Sequence, residues 1–365
     1  RQDWVMFGVI AARLDREGDR LGQSINRRAP SQPFNVPYSW DNRDVSKRTV
    51  RYLLRRAWRV LRGIAQDQPS LYPNVAAEVL KHYSHSDTTW NLSNSWLRNH
   101  ILFHETKRYG AESFYHYPRI PLYGKQAYPE LWQKSEKPLL KLLDEAHNPM
   151  VIEWLTEGLI TEFKTALETL DARWVHRVAR LKHTKKDKFL LKWFNEVCPH
   201  TQNDYQAQGL HEPLMSLLWS DFSEMSAYAL TYFKAHPQAL IALLTIESAM
   251  AMARSHNTEL RALGEASLEP SAGHFTLSLE QWTNLATHDQ SSGFGQTHFV
   301  QIFSGKDLDY TWYSELINHE SNWVSEWAMS LLNQPSFQPI SGDLFSFYWS
   351  LLAPSVWRDR SAQAD

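Results

Sequence analysis

The amino-acid sequence predicts an all-α protein that consists largely of repeated helix pairs. Glycine is scarce, at 14 of 365 residues, whereas large β-rich or α/β proteins need glycine at their turns and phosphate loops. Hydrophobic residues make up 43% of the chain, which is enough for a sizeable core. A two-helix pattern also recurs along the second half of the chain. We therefore expect a strand content below about 5%.

The repeated pattern is an apolar pair that closes one helix, a polar gap and a second amphipathic helix. Its clearest copies begin at residues 142, 181 and 218, which are 39 and 37 residues apart. A period near 40 with two helices per unit is typical of HEAT- or armadillo-like solenoids, in which neighbouring units stack into a continuous core. A weaker copy covers residues 284–303. The matched apolar residues, 12 positions apart, are Leu142 and Trp154, Leu181 and Trp193, Leu218 and Leu230, and Ile317 and Met329.

Three regions follow from this pattern. They are an N-terminal mixed segment (1–45), a basic helical start with a Tyr/Pro-rich loop (46–130), and the HEAT-like repeats (131–365). Residues 4–14 are predicted to form a short helix, and residues 27–37, which contain three prolines, a loop.

The second region is predicted to contain three helices before its aromatic-rich loop. Ser46 is suited to cap the first of them, because its hydroxyl can accept a hydrogen bond from a free backbone N–H. The other two helices are predicted at residues 74–83 and 90–104. Residues 109–129 have no helical period and are predicted to form an ordered loop held by tyrosines.

The most apolar segment of the chain is residues 239–253. It has 15 residues and contains Glu247, so it is too short and too polar to span a bilayer and is predicted to be a core helix. The loop predicted at residues 264–274 follows it. Together they form an insertion or an irregular repeat, and no membrane association is expected.

Charge is divided unevenly along the chain. Residues 1–66 hold 14 Lys or Arg against 6 Asp or Glu, a net charge of +8. Residues 199–365 hold 6 against 18, a net charge of −12. Such a division can steer an anionic partner to one end, or bring the two ends together within one chain or between copies.

The helix at residues 47–66 combines a basic strip with an apolar face. At a period of 3.6 residues, Val50, Leu54, Trp58 and Leu61 share one face. The favoured interpretation is that the arginines opposite them shield the first repeat and pair with nearby acids. The alternative is binding to phosphate, which arginine forks suit. The candidate nucleic-acid-binding residues are Arg48, Arg51, Arg55, Arg59 and Arg62.

Motifs for catalysis or cofactors are sparse in this sequence. His100 and His104 share a helix face, and Glu105 or His116 would complete a metal site. The apolar residues between the two histidines favour ordinary packing, so no metal site is predicted. No nucleotide-binding glycine motif or nucleophile motif occurs, and no cofactor is predicted. The single cysteine, Cys198, fits a reducing compartment, and we expect a cytoplasmic protein.

The last 55 residues are rich in aromatic side chains. One predicted helix, residues 344–352 (LFSFYWSLL), is apolar nearly all round. Such a helix must be covered on both sides. This predicts either a docking partner or a continuation of the chain.

Two stretches resemble bacterial proteins of the MolR type. Residues 55–62 (RRAWRVLR) with 72–80 (YPNVAAEVL), and residues 128–132 (YPELW) with 139–143 (LLKLL), match patterns of that family. The resemblance covers residues 47 to 160. It implies HEAT-like helical repeats, often preceded by a WGR domain, and transfers no catalytic residue. No tryptophan here is followed by glycine, so a Trp-Gly-Arg motif is absent, and a WGR domain would lie outside this sequence if the protein has one.

Two functions remain open at this point. The first is a non-catalytic helical-repeat scaffold that is part of a larger bacterial protein. It would bind a protein, other domains of its own chain, or nucleic acid through the basic strip. The alternative is a nucleic-acid-processing enzyme on a HEAT-like fold, as in DNA glycosylases. That enzyme needs a carboxylate and stacking aromatic residues at the centre of a basic groove.

Overall fold

A computed structural model of the protein contains helices and no β-strand in its described part. The prediction of an all-α chain is therefore confirmed for these residues. The expected Ser46 cap, the loop at 27–37, His116 and most of the loop at 109–129 lie outside them. The described residues are 3–23, 47–84, 95–106, 123–198, 205–340 and 342–352.

The helices divide between two compact units, residues 1–232 and residues 233–365. The boundary falls within α12 (Ser223–Ala235). The three regions expected from the sequence, with boundaries near residues 45 and 130, stay a prediction. Whether the repeats form one continuous HEAT-like solenoid stays a prediction.

The first unit is formed mainly by helices of one to six turns. The helices before α12 are α1 (Trp4–Gln23), α2 (Lys47–Asp67), α3 (Tyr72–Leu80), α4 (Trp96–Phe103), α5 (Pro129–Trp132), α6 (Lys137–Glu145), α7 (Pro149–Glu162), α8 (Lys164–Glu168), α9 (Ala172–Ala179), α10 (Thr184–Lys192) and α11 (His211–Leu217).

The second unit continues with shorter helices, several of them arranged as hairpins. These are α13 (Pro237–Ile241), α14 (Ile246–Ala253), α15 (Thr258–Leu268), α16 (Leu279–Ala286), α17 (Ser292–Ile302), α18 (Tyr310–Ile317), α19 (Asn322–Leu332) and α20 (Leu344–Leu352).

In the first unit, α1 packs along both α2 and α3. Small residues on its inner face allow this close approach: Ala11 and Ala12 are fully buried, and a side chain at Gly8 would overlap the backbone of Glu78 on α3. The helix extends well beyond the predicted end at residue 14. Fully buried aromatic side chains, among them Trp132 and Trp154, fill the core further along the chain.

The second unit contains three successive helical hairpins, α14–α15, α16–α17 and α18–α19. Their first helices start at residues 246, 279 and 310, so the period is 33 and then 31 residues. This spacing is shorter than the period near 40 that the sequence predicts from the copies at residues 142, 181 and 218. In the first two hairpins the helices approach each other closely at a glycine, Gly264 or Gly295. A side chain at either position would overlap the backbone of the preceding helix.

At two other places a serine side chain joins a helix to the end of the preceding helix. Ser226 Oγ donates a hydrogen bond to the Leu218 carbonyl at 2.9 Å, and Ser325 Oγ donates one to the Ile317 carbonyl at 2.7 Å. Each serine follows its acceptor by eight residues. The repeat pattern in the sequence matched Leu218 with Ile317, and both carbonyls accept from a serine at the same spacing.

Several sequence predictions about the middle of the chain were wrong. The apolar run 239–253 is two helices, because the chain turns after α13 and Thr245 starts α14 with a capping box. The predicted loop at 264–274 is helical as far as Leu268, so the supposed insertion contains the regular hairpin α14–α15. Of the matched apolar residues, Leu181 and Met329 are exposed. Apolar character alone does not place a residue on the buried side of a helix.

Among the described residues, no helix combines the length and the apolar character that crossing a membrane requires.

Candidate nucleic-acid interface

Helix α2 separates its apolar residues from its basic residues onto two faces. Leu54, Trp58 and Leu61 are buried, because the 3.6-residue period brings these positions to the side where α1, α3 and α4 pack. The predicted orientation of this helix is therefore confirmed. Its other face is left to solvent and carries the arginines.

The exposed face of α2 presents a row of guanidinium groups. The side chains of Arg51, Arg55, Arg59 and Arg62 are all exposed, as predicted, whereas the side chain of Arg48 lies outside the described part. At a rise of about 1.5 Å per residue, the row from Arg51 to Arg62 extends over about 16 Å. We refer to these four residues as the basic strip.

Most of the basic strip has no acidic partner. Among the described residues, no carboxylate lies within ion-pair distance of Arg51, Arg59 or Arg62. Arg59 Nε instead donates to the Arg55 carbonyl at 3.3 Å. The expectation that the strip pairs with nearby acids is therefore not met at these three arginines, and their charges face solvent.

A carboxylate on the neighbouring helix α3 is already neutralised by lysines. Glu78 accepts from Lys81 at 2.6 Å and from Lys141 at 3.0 Å, and Lys81 also contacts Glu145 at 2.9 Å. Burial raises the pKa of Glu78, but the hydrogen bonds and charges of the two lysines outweigh burial and hold it below its usual range. The acid of this neighbouring helix therefore pairs with lysines.

Tyr52 and Arg56 are also exposed on α2 beside the basic strip, although the sequence pattern did not predict them as part of it. The Tyr52 ring is 52% exposed, and its hydroxyl accepts from Arg56 Nη1 at 3.4 Å. The Arg59 guanidinium lies 6.0 Å from the centre of the same ring. The sequence contains a signal for this cluster. Tyr52 precedes Arg56 by four residues and Arg59 by seven, and residues at these spacings lie on one face of a helix.

Beneath the strip, Trp58 packs against the two histidines considered as metal ligands. Its ring centre lies 5.2 Å from that of His100 and 5.5 Å from that of His104. His100 Nδ1 hydrogen-bonds the Trp96 carbonyl at 2.9 Å, and burial lowers the pKa of His100 to about 4. His104 contacts Glu105 at 2.7 Å. Within the described ranges no group of three His, Cys, Asp or Glu side chains is placed to hold a metal ion.

A separate groove of about 310 Å³ lies between α7 and α10. Its walls mix charges: Lys185 pairs with Glu153 at 3.3 Å, and Glu157 accepts from the Tyr123 backbone N–H at 3.2 Å. Its aromatic residue, Phe189, is buried at 2% exposure. A base could not stack on that ring, so the groove lacks the aromatic platform that the enzyme alternative requires.

Comparisons with known proteins return no match: neither a family model, nor a curated protein, nor a solved structure is similar to this chain.

Proposed function

We propose that this chain is a non-catalytic helical interaction module that holds the phosphate backbone of duplex nucleic acid against the exposed face of α2. The observation that carries the proposal is the basic strip, in which Arg51, Arg59 and Arg62 have no carboxylate partner among the described residues. A guanidinium without an acidic partner keeps its full charge and its donors for phosphate oxygens.

The geometry of the strip suits a contact with several phosphates. Arginines spaced three and four residues apart lie on one face of a helix, and the row of about 16 Å is comparable to the span of two to three phosphates along one strand. Arg56, which contacts Tyr52, adds a charge beside the row. The net charge of +8 over residues 1–66 would attract a polyanion before contact.

The binding should be weak and independent of sequence. Side chains from one helix face reach phosphates but do not read base edges, and phosphate contacts carry no direct sequence information. We expect a dissociation constant of about 1–100 μM at physiological salt, the range of non-specific contacts.

Fluorescence anisotropy with a labelled 30-base-pair duplex tests the proposal. The double variant Arg51→Gln/Arg59→Gln should weaken binding. It should also lower the slope of log affinity against log salt concentration by about two, or one per lost phosphate contact. The matched control is Arg173→Gln/Arg180→Gln, which makes the same change of charge at two exposed arginines on or next to α9.

Equal affinity and equal salt slope in the two double variants would overturn the proposal. Binding to an acidic protein, with no binding to duplex, would replace nucleic acid with a protein as the partner of this surface. Neither outcome depends on the folding of a variant, because all four substituted arginines are exposed and the helical signal in circular dichroism can be compared directly.

A further inference from the structure

Tyr52 lies near the centre of the solvent-facing side of α2. At about 100° of rotation per residue, its position is opposite the buried face that Leu54, Trp58 and Leu61 form. The side chain of Tyr52 is 52% exposed. In the described part of the chain, every other exposed Phe, Tyr or Trp side chain lies on α20, which carries no charged residue. Tyr52 is therefore an exposed aromatic ring on a helix face that is otherwise basic.

Two arginines of α2 contact the ring of Tyr52. The Arg59 guanidinium lies 6.0 Å from the ring centre, and Arg56 Nη1 donates to the phenol oxygen at 3.4 Å. These arginines follow Tyr52 by seven and four residues, so all three side chains share one helix face. A ligand that binds the arginines of this face would therefore also meet the ring.

An exposed aromatic ring among arginines suits unpaired nucleotides. Arginines neutralise the phosphates, while the ring stacks on a base, and such stacking tolerates any of the bases because each has a π-face. Inside a continuous duplex, neighbouring base pairs cover both faces of every base. A protein side chain on the outside of the duplex can therefore stack only on a base that has left the paired helix.

The ring lies at one end of the basic strip. Tyr52 is one residue from Arg51 and ten residues from Arg62, and the strip extends over about 16 Å. Duplex phosphates held by the arginines towards Arg62 would leave the adjoining strand to pass over Tyr52. The order of residues along α2 therefore fits the place where a duplex gives way to a single strand.

We propose that Tyr52 stacks on an unpaired base, so that α2 prefers a duplex with a single-stranded overhang to a fully paired one. This inference rests on the proposed function, because the arginines of the basic strip must hold the adjoining phosphates. The preference is for unpaired structure and not for a base sequence, since stacking reads no base edges.

Fluorescence anisotropy with three labelled 30-base-pair duplexes tests the inference. One duplex is blunt, one carries a six-nucleotide thymidine overhang, and one carries an overhang of six abasic sites. The abasic overhang adds the same phosphates without bases, so it isolates the stacking contact. The thymidine overhang should bind about 5- to 20-fold more tightly than the abasic overhang, which corresponds to the stacking of one base. This ratio should stay nearly constant as salt rises, because both overhangs carry the same charge.

Three variants assign the ratio to the ring. Tyr52→Leu should reduce the ratio to about one and leave the affinity for the abasic duplex unchanged, because the arginines remain. Tyr52→Phe should keep the ratio, since the ring stacks and the hydroxyl does not. The control Tyr348→Leu, which replaces an exposed tyrosine of α20, should also keep it. All these positions are exposed, and the helical signal in circular dichroism checks that each variant is folded.

The outcomes separate this inference from the proposed function. Equal binding of the two overhangs by the wild type would overturn the inference, as would a ratio kept in Tyr52→Leu or lost in Tyr52→Phe. In each of these cases, blunt-duplex binding that still weakens in Arg51→Gln/Arg59→Gln leaves the proposed function standing. Blunt-duplex binding that does not respond to this double variant would overturn both.

Discussion

The phenol of Tyr83, just beyond α3, donates a hydrogen bond of 2.6 Å to the fully buried carboxylate of Asp15 on α1. The same oxygen, Oδ2, accepts from the backbone N–H groups of Leu97 and Arg98 at 2.9 and 3.2 Å. Asp15 thereby caps the first turn of α4 and joins α1 to α4. Burial is the largest influence and raises the pKa of Asp15 to about 6, although these hydrogen bonds and the charge of Arg98 oppose it.

Asp15 should make stability depend on pH in an unusual direction. Its pKa is higher in the folded chain, about 6 against 3.8, so the folded state binds the proton more tightly. Its contribution to stability is therefore largest below pH 4 and is lost as pH rises through 6. The difference in unfolding free energy between the wild type and Asp15→Asn should fall by roughly 2–3 kcal/mol from pH 4 to pH 7, as measured by urea unfolding.

Two further variants sharpen this measurement. Tyr83→Phe removes a hydrogen bond that lowers the pKa of Asp15, so it should cost more at pH 7 than at pH 4. Asp171→Asn is the control, because it removes an exposed carboxylate that caps α9. If the difference in unfolding free energy between the wild type and Asp15→Asn does not change between pH 4 and pH 7, the raised pKa of Asp15 is contradicted.

The two faces of α2 should respond very differently to truncation. Trp58 is 8% exposed and packs on His100, so Trp58→Ala should cost roughly 3–5 kcal/mol of unfolding free energy through cavity formation. Arg59 is exposed, so Arg59→Ala should cost less than about 1 kcal/mol. Chemical denaturation measures both, and equal losses would be incompatible with this orientation of α2.

Two glycines of α17 allow a matched comparison. A side chain at Gly295 would overlap the backbone of Ala286, whereas nothing lies within 4 Å of a side chain at Gly293. Gly295→Ala should therefore force α16 and α17 apart and destabilise the chain by about 1–3 kcal/mol. Gly293→Ala should be neutral or should stabilise it by up to about 1 kcal/mol, because alanine favours helix. Thermal unfolding of both variants decides whether the close helix contact exists.

A buried lysine on α10 predicts a second pH effect. Lys186 is 1% exposed, and its Nζ donates to the Asp144 carbonyl at 3.2 Å. Burial lowers its pKa from 10.5 to about 8, so the folded state favours the neutral amine. The contribution of Lys186 to stability should therefore rise as pH increases from about 8 to 10.5.

Lys186→Met removes this titration while keeping a side chain of similar length. Relative to this variant, the wild type should gain roughly 3 kcal/mol between pH 7 and pH 10.5 in urea unfolding. The exposed neighbour Lys188 provides the control Lys188→Met. If the unfolding free energies of the wild type and Lys186→Met change equally with pH, the lowered pKa of Lys186 is contradicted.

Residue spacing alone was enough to predict the helical class, the orientation of α2 and the exposure of the described arginines of its strip. Helical periodicity is a local property, because the side of a helix on which a residue lies depends only on its position along the chain. The same local pattern paired Leu218 with Ile317, and both accept a hydrogen bond from a serine eight residues later. Local chemistry also predicted a helix at residues 344–352.

What only the tertiary structure decided is which surfaces meet. The arginines of α2 were expected to pair with nearby acids, whereas the acid of the neighbouring helix α3, Glu78, pairs with Lys81 and Lys141. That choice depends on which helices are neighbours. The same holds for Gly264, whose small size signals a loop locally but permits close contact between α14 and α15. The burial of Asp15 and the exposure of Phe345 likewise follow from packing between distant segments, which no local periodicity encodes.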